Sequence, residues 1–166
     1  LLSLFLLIYR FPHTSSRIHH FLSGSLQYQV EQSRIAIGSG GLLGHGIGSG
    51  RQKLLFLPKP FNDFIFAIWA EETGFLGSII LSGLFLALFF RGISIASGLD
   101  DSFGFLLVSG MNMLIFTYFL VHTGVSLGII PPAGVPLPFI SFGGWAVVAN
   151  LVAAGIIVGA SRWRSS

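Results

Sequence analysis

Between Asp101 and Arg162 the chain carries no Asp, Glu, Lys or Arg. A soluble fold rarely leaves so long a stretch uncharged, because about a quarter of a typical globular sequence is charged. The whole chain is 52% hydrophobic and only 9% charged, with 17 phenylalanines. A helix of about 20 apolar residues crosses a bilayer, so this stretch holds two spans. Composition thus excludes a water-soluble domain and predicts an all-α, polytopic membrane protein. With no cysteine, disulfide scaffolds and thiolate metal sites are excluded as well.

Three complete spans are expected, over residues 63–90, 103–127 and 142–160. The opening segment, residues 1–10, is apolar but too short to cross. It lacks the basic start and small-residue cleavage site of a signal peptide. It reads as the end of a truncated transmembrane helix, and the chain as the C-terminal part of a larger protein. Residues 11–62 form a long non-spanning loop, with Arg17, Arg34, Arg51, Lys53 and Lys59 against one acid, Glu31. Within it a short amphipathic helix is expected over Tyr28 to Ile37, then a glycine-dominated run from Gly38 to Gly50. Asp100 or Ser102 is the expected cap of the second span. The four prolines between Ile129 and Pro138 forbid a continuous helix. Irregular apolar backbone at membrane depth is tolerated only when protein buries it or it lines a cavity. Gly155 and Gly159 have the spacing of a close helix contact. Three spans put residues 11–62 on the side opposite the basic tail, and charge asymmetry alone would make that loop cytoplasmic.

Ionisable side chains near a bilayer are costly and mark functional positions. Asp63 stands where the basic, glycine-rich loop meets a long apolar helix. Asn62 or Asp63 would suit an N-cap, and a capping carboxylate can also be catalytic. Glu71 lies about 12 Å further along a helix axis, beyond the roughly 5–9.5 Å that separates paired glycosidase carboxylates. Glu71 and Glu72 are therefore read as buried ion-pair partners. The run from Gly38 to Gly50 fits neither a dinucleotide fingerprint nor a P-loop. Its amides, with Arg51, Lys53 and Lys59, suit either a pyrophosphate cradle or an ordinary surface loop. The histidines, His122 among them, show no metal-ligand spacing.

Four blocks carry a resemblance over nearly the whole chain: Tyr28-Gln29 with Gln32 to Gly41; Phe56-Leu57-Pro58 with Asp63 to Ala67; Glu71 to Gly74; and Gly134 to Gly144. In order and spacing they resemble the SEDS family of polytopic peptidoglycan glycosyltransferases. The resemblance implies a ten-helix protein in the bacterial cytoplasmic membrane, with residues 11–62 extracytoplasmic, against the charge count. It implies polymerisation of lipid II with Asp63 as general base. Arg51, Lys53, Lys59, Gln32, Ser33 and Ser141 would contact substrate, with a divalent cation, Mg or Mn, as an optional aid. The implied partner is a class B penicillin-binding protein, and the chain leans towards the RodA-like branch. It departs from the family pattern at Lys59, Phe61-Asn62, His122 and Trp145. A lipid II flippase and a non-catalytic scaffold of the wall-synthesis complex are the alternatives. As an isolated 166-residue polypeptide the chain is expected to be inactive.

Overall fold

The computed structural model describes residues 25–49 and 64–163. The opening segment, residues 50–63 and the last three residues lie outside the described residues. Four helices follow in order: α1 (Ser25–Ser39), α2 (Ile65–Ala96), α3 (Ser102–Ser126) and α4 (Gly144–Trp163). No strand occurs among the described residues. The last three helices are long and apolar enough to cross a membrane. They run up, down and up beside one another, and α1 packs across α2 and the end of α3.

The spans hold together chiefly through aromatic packing between α2 and α3. Phe85 stacks on Phe119 with ring centroids 4.4 Å apart, and Phe89 stacks on Phe116 at 4.2 Å. Offset pairs of this kind contribute about 0.5–1.5 kcal/mol each beyond area burial. Next to them Asn112 Nδ2 donates to the Phe89 carbonyl (2.9 Å). Gly92 makes room, since a methyl there would overlap the Asn112 amide.

Element boundaries differ from expectation in three places. The first span continues to Ala96, past Arg91, so α2 has 32 residues and measures about 48 Å, well beyond the ~30 Å hydrocarbon layer. The cap of α3 is Asp101, flanked by the two residues that sequence favoured; its carboxylate accepts from Phe103 N and Gly104 N. It adopts extended backbone (φ −83°, ψ 124°), the geometry an N-cap needs. Gly155 and Gly159 have nothing within 4 Å of an added methyl, so their spacing makes no close helix contact among the described residues.

The proline-rich segment is irregular, as its composition requires, and it is enclosed only at its end: Leu137, Pro138 and Ser141 are buried, whereas Ile129, Pro131, Ala133 and Gly134 are exposed. Leu137, between two prolines, is fully enclosed and joins Leu81, Phe85, Ile115, Phe119 and Ala153 in one cluster. Those partners sit at the middle of the spans, so the segment reaches membrane depth. Its enclosed end bonds to itself: Leu137 N donates to Ser141 Oγ (2.7 Å), and Ser141 N donates back to the Leu137 carbonyl (3.0 Å). His122 Nδ1 donates to the Val135 carbonyl (2.8 Å), tying the segment to α3. Phe139 holds a left-handed backbone (φ 65°) in this turn, which costs a non-glycine residue about 1–2 kcal/mol.

Replacing Ser141 by Ala strips the Leu137 amide of its acceptor in a dry environment. Thermal unfolding in micelles should report a loss of about 1–3 kcal/mol, whereas Ser161→Ala, at the exposed end of α4, should change it by less than about 0.5 kcal/mol.

Candidate functional site

The start of α2 is where the rest of the fold converges. Phe64, fully buried, packs with Val30 and Ala36 of α1 and Val125 of α3. Phe66, two residues on, joins the cluster that contains Leu137 of the proline segment. Position 63 is thus followed at once by two anchors gripped by three different elements. Asp63, Arg51, Lys53 and Lys59 themselves lie outside the described residues. So do Asn62 and the proposed cap; the first described position, Phe64, makes no side-chain capping bond.

The remaining site residues sit around this junction. Ser33 is fully buried and its hydroxyl donates to the Ser126 carbonyl (2.8 Å), which fixes α1 against the end of α3. Gln32, its neighbour, is half-buried. Ser141 is enclosed in the proline segment, with its hydroxyl on the Leu137 amide. The fold brings Gln32 and Ser33 to the Phe64 end of α2, while Ser141 shares the Phe66 cluster's neighbourhood through Leu137. Glu71 is 3% exposed and Glu72 half-buried.

One feature of this region was not legible beforehand: α2 is broken at Gly74 (φ 69°, ψ −165°). A continuous helix would bond Phe75 N to the Glu71 carbonyl and Leu76 N to the Glu72 carbonyl. Here the glycine-rich loop takes all four groups. Phe75 N donates to the Gly41 carbonyl (2.9 Å) and Leu76 N to that of Leu42 (3.2 Å). In return His45 N donates to the Glu71 carbonyl (3.1 Å) and Gly46 N to that of Glu72 (3.0 Å). Residues 41–46 are inserted into α2 as a surrogate turn, and Gly44 N closes that turn on the Gly40 carbonyl (2.8 Å). Two lost bonds are replaced by four. At roughly 1 kcal/mol net each, docking gains about 2 kcal/mol before the entropy of ordering the loop is charged against it.

Only glycine fits the contact. A methyl at Gly44 would overlap the Glu72 carbonyl, and one at Gly40 the Ala70 carbonyl. One at Gly74 would overlap the Gly44 amide. Trp69 spans the break from the other side, its indole Nε1 donating to the Gly77 carbonyl (3.1 Å). The available signals were Gly74 inside a helical pattern and the glycine density of residues 38–50, but neither says that the two meet.

The family model described as a cell cycle protein, FtsW/RodA/SpoVE, matches residues 1–166, the full length of the chain. The chain belongs to the FtsW/RodA/SpoVE family. Among its relatives it is 43% identical to stage V sporulation protein E of Bacillus subtilis over 136 residues, covering 82% of this chain and 37% of that protein. It is 44% identical to the peptidoglycan glycosyltransferase MrdB of Escherichia coli K12, covering 79% of this chain and 36% of the relative. The chain therefore spans little more than a third of these relatives' length. Two solved structures share the fold. A chain from a study of how a peptidoglycan synthase complex coordinates polymerization and crosslinking matches with TM-score 0.70 at 26% identity, over 98% of this chain and 48% of that one. An alanine variant of the Thermus thermophilus rod-shape-determining protein RodA matches with TM-score 0.60 at 33% identity, over 65% and 36%. The family membership accords with the all-α, multi-pass membrane architecture.

Docking of the loop makes Gly44 and Gly48 unequal, although both are left-handed (φ 76° and 86°). Gly48 has nothing within 4 Å of an added methyl, so Gly48→Ala should cost only the ~1–2 kcal/mol of backbone strain. Gly44→Ala should cost more and should expose the loop to limited proteolysis, which Gly48→Ala should not.

Proposed function

We propose that this chain carries the catalytic carboxylate and part of the substrate-binding surface of a peptidoglycan glycosyltransferase that polymerises lipid II. The observation that carries the reading is the family match over residues 1–166, joined to the convergence of three elements on Phe64 and Phe66, beside Asp63. A general base must be held within hydrogen-bond reach of the proton it removes. Buried anchors on the residues that follow are what such precision requires.

In this reading the 63 end of α2 faces the extracytoplasmic side of the cytoplasmic membrane, where the disaccharide of lipid II stands above its polyprenyl tail. Asp63 takes the proton from the 4-hydroxyl of the acceptor's N-acetylglucosamine. The oxygen attacks the anomeric carbon of the donor's N-acetylmuramic acid with inversion, and the bond to undecaprenyl pyrophosphate breaks. Negative charge grows on the leaving pyrophosphate, and fixed cations stabilise such charge most effectively in a water-poor site. Arg51, Lys53 and Lys59 supply that charge in this proposal. A divalent cation, Mg or Mn, would add to that positive charge as an optional aid, and no step here is routed through it. Glu71 and Glu72 keep the ion-pair role, and Gln32, Ser33 and Ser141 shape the walls. The partner is a class B penicillin-binding protein, which would crosslink the strand.

The test is polymerisation of lipid II by the polypeptide as its own gene encodes it, with its penicillin-binding partner. Asp63→Asn should lower the rate by at least a hundredfold, the usual scale of general base catalysis, with thermal stability unchanged. An Asp63→Asn protein that polymerises at the parent rate overturns the assignment. Movement of lipid II across vesicles without polymer from either form would favour a flippase.

A further inference from the structure

The four backbone groups that hold the loop in the break of α2 are also one another's natural partners. If residues 41–46 withdraw, Phe75 N can close on the Glu71 carbonyl and Leu76 N on the Glu72 carbonyl, restoring a regular helix. No backbone amide or carbonyl released at the break of α2 is then left bare, and the bond given up on that side is the one from the Trp69 indole to the Gly77 carbonyl. The groups released on the loop side, the Gly41 and Leu42 carbonyls and the His45 and Gly46 amides, belong to an exposed segment that water can satisfy. The segment is rich in left-handed glycines, at 41, 44, 46 and 48, so leaving meets little backbone resistance. Gly74 has to pass from φ 69°, ψ −165° to helical values of both angles, a change glycine makes without a side-chain clash.

We infer that α2 is a two-state latch: broken at Gly74 with residues 41–46 docked, or continuous with that loop released. The exchange is bond for bond for the α2 backbone, which separates it from ordinary loop fraying. Straightening Gly74 re-aims residues 65–73, with Glu71 and Glu72, relative to the span formed by residues 75–96. The latch thereby couples the position of the glycine-rich loop to the orientation of the helix start that bears the candidate site. The inference rests on backbone geometry and holds whether or not Asp63 is a catalytic base.

Residue-resolved amide hydrogen exchange of the intact protein in lipid nanodiscs tests it without reference to activity. The latch predicts that His45 and Gly46 exchange at least tenfold faster than Phe75 and Leu76, after correction for intrinsic rates, because only the loop amides lose their acceptors. A common rate for all four amides, or faster exchange at Phe75 and Leu76, overturns the proposal. Gly74→Ala removes the left-handed option and overlaps the Gly44 amide, so it should trap the continuous form. In it His45 and Gly46 should lose protection while Phe75 and Leu76 keep theirs; loss at both pairs overturns the latch. The chain has no cysteine, so a Leu42→Cys, Leu76→Cys pair gives a second test at the Leu76–Leu42 backbone bond. Oxidising that pair should abolish the difference in rate and reduction should restore it. A difference that survives oxidation counts against the latch.

Discussion

A membrane helix cannot break without finding partners for the amides and carbonyls it releases, and this constraint shapes the region around Gly74. Water would meet those groups on an exposed helix, but Glu71 and Gly74 are buried within the fold. The chain answers with its own glycine-rich loop, whose backbone reaches α2 because Gly40, Gly44 and Gly74 have no side chains to keep them apart. The loop is thereby fixed in space, and α1 before it is fixed by the Ser33 bond to the Ser126 carbonyl. What composition alone describes as a polar, flexible connection is a built part of the fold.

The same rule governs the proline-rich segment. Four prolines remove amide donors and prevent helix, and the amide of Leu137 that remains between two of them is met by Ser141. The histidine in α3 belongs to this scheme, with its ring on the Val135 carbonyl. Metal-ligand spacing gave no reason to single out His122. A better signal was its place in an uncharged span, where a buried polar side chain must have a partner.

Proximity to the bilayer also makes the candidate site intelligible. In the proposed function the substrate has a water-borne head and a tail that stays in the membrane, and the carboxylate assigned to it would stand at that boundary. Asp63 precedes a helix about 48 Å long, more than the hydrocarbon layer requires. The break divides that length into a short segment bearing Glu71 and Glu72 and a 75–96 segment that suffices to span. The buried Glu71 and half-buried Glu72 are thus kept beside the loop rather than at mid-membrane, where charge is most expensive.

The sequence by itself determined the membrane class, the three spans, the irregular proline segment and the family blocks, because each rests on local composition or on residues adjacent in the chain. It singled out Asp63 as a candidate by the same route, through a carboxylate at a compositional boundary. The tertiary structure decided what Ser33 and the glycines meet, since those partners lie far away in sequence, and it set Ser141 on the nearby Leu137 amide and His122 on the Val135 carbonyl, which irregular backbone alone brings within reach. Ser33 meets a carbonyl 93 positions away. Gly74 falls inside a span expected to be helical throughout, and its positive φ depends on a loop some thirty residues upstream, as the Phe75–Gly41 and Leu76–Leu42 bonds show. Periodicity reports which face of an element is apolar; it carries no information about which distant backbone will complete a broken one.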